Sequence, residues 1–392
     1  MRFSTSILIS TAFLLQALCG LAQKETTIDD PRISLITVGP GKNLYDKFGH
    51  TAIRLQDGDL DIAFNYGSYD FDTPNFYLKF AQGQMMYKVT TNYFQAFLNY
   101  YKGENRWVRE QVLLLPPADK AEMMEFLRQN IQPKNARYRY DFFYDNCATK
   151  PRDVIFADRG HEITIDESYA SDELTFRQLI QNNVHWNTWG SLGMDVGIGA
   201  VTDRKATAWQ YQFLPDYVSQ ALAGATMTID GREVPMAGAP KMLFENQPEE
   251  DKGNFLLSPL LCFLLLGGFI VWITIKDAKS GGRSRWLDGL IMGVTGVVGV
   301  ILSLLWFATE HSSTANNYNL LWAFPFSLLL IYPLSKQSPP RWVRRYFIFL
   351  LLMGVLLTIH WMTGVQEFAL SLIPLFLALA YRYLYVLRVL PK

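Results

Sequence analysis

"GHTAIRLQDGDLDIAFNYG", residues 49–67, reads as two short strands folded back on each other. The β-rich runs 51–55 and 60–66 flank Asp57-Gly58, a residue pair that suits the two-residue loop of a hairpin. With that loop Gln56 pairs with Asp59, and His50 faces Asn65 across the strands on one side of the sheet. An asparagine there holds an imidazole in one tautomer, as the third member of a catalytic triad does. A slip in loop length puts Gly67 opposite His50 instead, and leaves Tyr66 or Asp72 as polar neighbours. A satisfied hairpin histidine is the plain alternative.

An imidazole on a strand matters most if a nucleophile can reach it. "YDFFYDNCATKPRD", residues 140–153, supplies one in Cys147. Asp145 and Asn146 are good helix caps, and "CATKPRDVIFAD" can run as a helix with Pro151 near its first turn. Cys147 at a helix N-terminus has its thiolate favoured by free N–H groups and the helix dipole, and the same N–H groups suit an oxyanion. Of the other histidines before the apolar region, His161 follows Arg159-Gly160 in a surface turn, and His185 lies in a loop beside Trp186.

The compartment gives the lone thiol its force. Arg2 followed by "ILISTAFLLQALCGLA" has the charge and apolar run of a secretory signal, with small residues Gly20 and Ala22 before a cut at Gln23. Cys19 also admits lipidation, but Gln16 and Leu18 sit where that signal wants an aliphatic and a small residue. Five apolar stretches follow residue 252, at 255–275, 287–308, 319–334, 346–362 and 368–387; the third is short and broken by Pro325 and Pro333. Lys276, Lys279, Arg283 and Arg285 fill one loop, and Lys336, Arg341, Arg344 and Arg345 another. Loops 309–318 and 363–367 contain no Lys or Arg, so the basic loops and the C-terminus read as cytoplasmic. The chain thus divides into a signal peptide (1–22), an exported domain (23–252) and a membrane domain (253–392). Only Cys147 lies in the exported part, since Cys19 is in the signal and Cys262 in the first span. A lone thiol in an oxidising compartment is either a buried small hydrophobe or a reactive group. Lys plus Arg and Asp plus Glu both number 36, which gives nucleic acid nothing to bind by net charge.

With the two motifs in view, "LYDKFGHTAIRL", "FNYGSYDFDTPNFYLKFAQGQ", "YRYDFFYDNCATKPRD", "TDRKATAWQ" and "FLPDYV" resemble the Lnb family of lipoprotein N-acyltransferases, a likeness that continues to "NNYNLLWAFPF". More broadly, a histidine motif before a cysteine motif resembles the circularly permuted NlpC-like, papain-like superfamily. The resemblance implies an α+β fold, with a permuted papain-like periplasmic domain followed by an all-α membrane domain of five transmembrane helices. It implies Cys147 as nucleophile and His50 as general base; Asn65 is the geometric choice for the third residue. Tyr140, Asp141 and Asn146 lie in the matched motif as oxyanion or positioning candidates, or as residues that shape the turn. His311, Asn317 and His360, near outer ends of spans, are candidate substrate contacts at the membrane face. The implied partners are a phospholipid acyl donor, a diacylated lipoprotein acceptor and the bilayer, with no metal or other cofactor. Water in place of the amine makes the same site a hydrolase, a phospholipase or cell-wall amidase. A third reading is a binding module with a structural Cys147.

Overall fold

The computed structural model describes residues 30–69, 74–247 and 255–391. The proposed signal peptide and Asp72 lie outside them. The N-terminal domain is built on β1 (Arg32–Val38), β2 (His50–Asp57), β3 (Leu60–Ser68), β4 (Met86–Tyr93), β5 (Val108–Val112), β6 (Arg137–Arg139) and β10 (Lys241–Phe244). These form one antiparallel sheet in the order β10-β5-β1-β2-β3-β4-β6. A smaller sheet joins β7 (Ile163–Ile165), β8 (Ala225–Ile229) and β9 (Arg232–Pro235).

Alternation along the strands sends side chains to two faces, and each face is covered. Helix α1 (Phe94–Gly103) lays Phe94, Phe97 and Tyr101 on the face that carries Ile36, Val38, Ala52 and Ala63. The opposite face, with Ile33, Leu35, Ile53, Leu55 and Phe64, packs α2 (Pro117–Asn130), α3 (Thr149–Ile155) and α6 (Pro215–Ala223). Two more helices, α4 (Phe176–Gln181) and α5 (Trp189–Gly197), lead towards the C-terminal domain.

Among the described residues, that domain has four helices long and apolar enough to cross a membrane. They are α7 (Pro259–Ser280), α8 (Arg285–Phe307), α9 (Arg341–Met362), and α10 (Ile373–Val389) with the turn before it. Between α8 and α9 run two short helical pieces, Ser312–Leu321 and Pro325–Ser335, bent by 41°. Proline lacks an N–H and clashes with a helix's preceding turn, so Pro325 and Pro333 keep this segment from being one smooth helix. Counting it as one span makes five. It lies along α8 where glycine removes the side chain: a Cβ on Gly299 would fall 2.1 Å from the Ala323 carbonyl oxygen, and one on Gly296 would fall 2.7 Å from Leu328.

The basic loops gather at one end. Arg283 donates to the carbonyls of Leu334 and Lys336 at 3.0 and 3.1 Å, and Arg285 to that of Ser335 at 3.0 Å. Just inside that end, buried Arg382 of α10 donates to Asp288 of α8 and Asp277 of α7, each at 2.7 Å. Asp288 also receives Arg283 at 2.8 Å. At the other end, loops 309–319 and 363–367 meet the N-terminal domain. Removing one partner of a buried ion network strands the rest, at a cost of about 3–5 kcal/mol. Asp288→Ala is therefore expected to lower the thermal midpoint of the detergent-solubilised protein well below wild type, read by tryptophan fluorescence.

Candidate active site

His50 opens β2 beside Val38 of β1. The β2–β3 register sets Ala52 opposite Asn65 and Asp57 opposite Leu60. The hairpin loop is thus Gly58-Asp59, one residue later than the sequence reading placed it. Gly58, at φ +57°, takes the left-handed position that such a loop requires and that glycine fills without strain. Continuing this register puts Gly67 opposite His50 and makes Asn65 its diagonal neighbour on the same face. The diagonal is bridged: His50 Nε2 lies 2.6 Å from Asn65 Oδ1. With that amide oxygen accepting, Nε2 carries the hydrogen and Nδ1 holds the lone pair.

The next strand residue, on the opposite face of the sheet, reaches the cysteine segment. Thr51 is buried and donates its hydroxyl to the Cys147 carbonyl oxygen. Gly67, at φ +93°, is where the cysteine turn presses on β3, because a Cβ there would lie 3.2 Å from the Cys147 Cβ. The turn itself is closed by backbone bonds between Asp141 and Asp145, at 3.2 and 3.0 Å. Buried Asn146 holds it from within. Its amide nitrogen donates to the carbonyls of Phe142 and Phe213 at 2.7 and 2.8 Å, and its oxygen accepts from the N–H groups of Ala148 and Thr149 at 2.7 and 2.9 Å.

Asn146 therefore caps the helix, but α3 starts at Thr149, two residues after the thiol, and runs only to Ile155. The expected drop in thiol pKa is not found. Burial pushes the Cys147 thiol up to about 11, against opposing help from the backbone groups of Thr51 and Cys147 and from the Arg106 charge. Burial also pulls His50 down to about 4, outweighing its bond to Asn65. Arg106 is buried and fixed by Gly39 and Asp46, with bonds of 2.8 and 3.2 Å. At neutral pH these shifts leave both the thiol and the imidazole neutral.

The remaining candidates divide. Tyr140 stacks on Tyr87 with ring centroids 4.2 Å apart, and both phenols are raised, first by burial and next by neighbouring groups that include Cys147. Asp141 accepts from the N–H groups of Phe143 and Tyr144 at 2.8 and 3.1 Å and from the Ser312 hydroxyl at 2.6 Å. Asp141 and Asn146 are thus spent on the turn, and neither is a spare oxyanion donor. Asn317 is also reassigned: fully buried, it donates to the carbonyls of Val196 and Gly197 at 2.8 and 3.0 Å, so it joins the two domains and offers substrate nothing. His360 lies in the last turn of α9, its Nδ1 2.8 Å from the Leu356 carbonyl and its ring against Tyr318. His311 stands in the loop that meets Gly83 of the N-terminal domain. His161 pairs with Asp119 at 3.3 Å, away from the thiol's turn.

Two family models match the chain. The Lnb N-terminal periplasmic domain covers residues 21–182, and the Lnb transmembrane domain covers residues 249–392. The chain belongs to the Lnb-type lipoprotein N-acyltransferase family. His50, Asn65 and Cys147 all fall within the segment matched by the periplasmic domain, and the four long helices within the segment matched by the transmembrane domain. No curated protein matches, and no solved structure does.

Sequence reading of this Lnb chain missed Thr51, Gly67, Arg106 and Tyr87. Only Gly67 had a signal, the loop slip that brings it opposite His50. Displacing reacting groups by about 1 Å can cost about a hundredfold in rate. On the acyl-transfer reading proposed below, Gly67→Ala, whose Cβ pushes on Cys147 by only a few tenths of an ångström, is expected to slow acylation of Cys147 by about tenfold while the protein stays folded, as single-turnover labelling would read. The raised thiol pKa gives a second expectation. Iodoacetamide should alkylate Cys147 about tenfold more slowly than a thiol of the ordinary pKa 9.0 at neutral pH, since about a hundredfold less thiolate is partly offset by its greater nucleophilicity, with the rate climbing towards pH 11.

Proposed function

We propose that this chain is a thiol-dependent phospholipid:apolipoprotein N-acyltransferase at the periplasmic face of the bacterial inner membrane. The observation that carries this reading is the His50–Asn65 bond at 2.6 Å, one residue from the strand position that anchors Cys147. An asparagine-held imidazole on the strand whose next residue bonds the cysteine segment suits acyl transfer through a thioester.

In the first half-reaction Cys147 Sγ attacks the carbonyl carbon of a phospholipid acyl ester while His50 Nδ1 takes the thiol proton. The ester C–O bond then breaks, and His50 returns that proton to the departing glycerol oxygen. The products are a lysophospholipid and an acyl thioester on Cys147. In the second half-reaction the α-amine of a lipoprotein's diacylglyceryl-cysteine attacks the thioester carbonyl. His50 takes a proton from the amine nitrogen and delivers it to the leaving Cys147 sulfur. An amide forms, the thiol is restored, and no further reactant is needed.

The same reading takes residues 1–22 as a signal peptide, 23–252 as the catalytic domain and 253–392 as five spans. The histidine strand preceding the cysteine turn supports a circularly permuted papain-like domain. The clustering of Arg283, Arg285 and Lys336 away from the N-terminal domain supports a cytoplasmic C-terminus.

The test is mass spectrometry of lipoprotein N-terminal peptides after deleting the gene and restoring wild type or Cys147→Ser. Triacylated peptides should fall to diacylated ones and return only with wild type. Peptides that stay triacylated throughout would sink the amine as acceptor and turn attention to water. The acid limb of acyl-enzyme formation should lie near pH 4, since His50 stays an unprotonated base down to that point and is lost below it.

A further inference from the structure

A cavity of about 390 Å³ lies between the N-terminal domain and the loop after α8, a size typical of sites for small ligands. One wall is Phe48, Met85, Tyr87, Tyr140 and Phe142; the other runs from Glu310 to Ser313. Tyr140 and Phe142 flank Asp141 in the closed turn that carries Cys147, and the Asn146 amide grips the Phe142 carbonyl. The cavity therefore backs onto the thiol's own turn.

Its chemistry selects the occupant. The charged side chains in the wall, Asp141 and Glu310, are both anionic, and each is already matched. Asp141 accepts from Ser312 and two backbone N–H groups, while Glu310 pairs with Arg139 and accepts from Gln84. A phosphate would meet carboxylates there, whereas an apolar chain meets aromatic rings and a thioether. The rim continues to the membrane. Leu44 abuts Gly190, where a Cβ would fall 2.7 Å from Leu44 Cδ1. The adjacent Trp189 donates its indole N–H to the Leu257 carbonyl at 2.8 Å, just before α7. Tryptophan at the head of a span marks the level of the lipid interface.

We propose that this cavity receives the acyl chain carried on Cys147, entering from the bilayer over the Leu44–Trp189 rim, and that Met85 and Ser313 set the chain length accepted. The inference rests on the acyl-transfer reading above and adds to it the place of the chain.

The experiment uses the full chain in proteoliposomes of phosphatidylethanolamine with short, medium and long saturated chains in equal amounts. Mass spectrometry reads the chain held on Cys147 and the matching lysolipid, first without acceptor and then with a diacylated lipopeptide. Ser313→Phe, which narrows the cavity, should shift the short-to-long ratio about tenfold towards short chains, and Met85→Ala, which widens it, should shift the ratio towards long ones. Wild-type ratios in both variants overturn the site. If Ser313→Phe yields no acyl-enzyme, the Met85→Ala ratio decides alone, unchanged against the site and shifted for it. Acyl-enzyme without lipopeptide acylation sinks the N-acyl transfer while leaving the chain-length reading intact. A wild type that never forms acyl-enzyme overturns both.

Discussion

One buried guanidinium holds the two domains in a single arrangement. Arg177 of α4 has no exposed surface, and it donates to Asp203 at 2.8 Å, to Asp195 at 3.3 Å and to the carbonyls of Ile198 and Gly199 at 3.1 and 3.3 Å. These bonds fix the loop 195–203, which is the socket for the C-terminal domain. Gly199 and Ala200 donate to the carbonyls of Ser313 and Asn316 at 2.9 and 3.0 Å, and Asn319 donates to that of Asp195 at 3.1 Å. Asp203 also accepts the backbone N–H of Glu367 at 3.1 Å. Taking a guanidinium out of water is costly unless its donors find acceptors, and here all three of its nitrogens do, through six hydrogen bonds. The close approach also needs glycine, since a Cβ on Gly199 would fall 1.9 Å from the Ala315 carbonyl oxygen.

The thiol site applies the same logic of burial with opposite effect. Charges at the socket are paired and kept, while charge at Cys147 and His50 is suppressed, the thiol raised to about 11 and the imidazole lowered to about 4. A neutral pair resists the oxidation to which a standing thiolate is prone. It also leaves the proton on sulfur at neutral pH. Arg106 lowers both groups, so its field favours the forms in which the imidazole is a free base and the thiol can ionise.

Much of this was legible in the sequence, and the failures have physical causes. Alternating β-branched residues around Asp57, Gly58 and Asp59 announce a hairpin, but either Asp57-Gly58 or Gly58-Asp59 makes an acceptable loop. Only the backbone of Gly58, at φ +57°, chooses. His50 meets Asn65 even so, through a diagonal contact that a directly opposed register does not describe. The cap at Asn146 is readable because its side chain fits no other local role so well, yet the helix it starts is short, and thiol burial is set by strands far away in the chain. Apolar length exposed all five segments, and Pro325 and Pro333 marked the third as the broken one, which the structure divides into two short pieces. The strands β1, β4, β5 and β6 carry mixed patterns whose pairing is decided by tertiary contacts. The turn-shaping role of Asp141 was within reach, but its bond to Ser312 and the role of Asn317 were not, since each depends on a partner in the other domain.

The socket at Gly199 and Ala200 has a kinetic corollary. A domain clamped this way neither tumbles nor swings on a leash, so the thiol keeps a constant height above the lipid head groups. Under the acyl-transfer proposal, reactants embedded in the same sheet of lipid then find it by lateral diffusion. Encounter depends on molecules per unit area of membrane, and diluting the cell suspension leaves it unchanged, whereas diluting the reactants with inert lipid slows it.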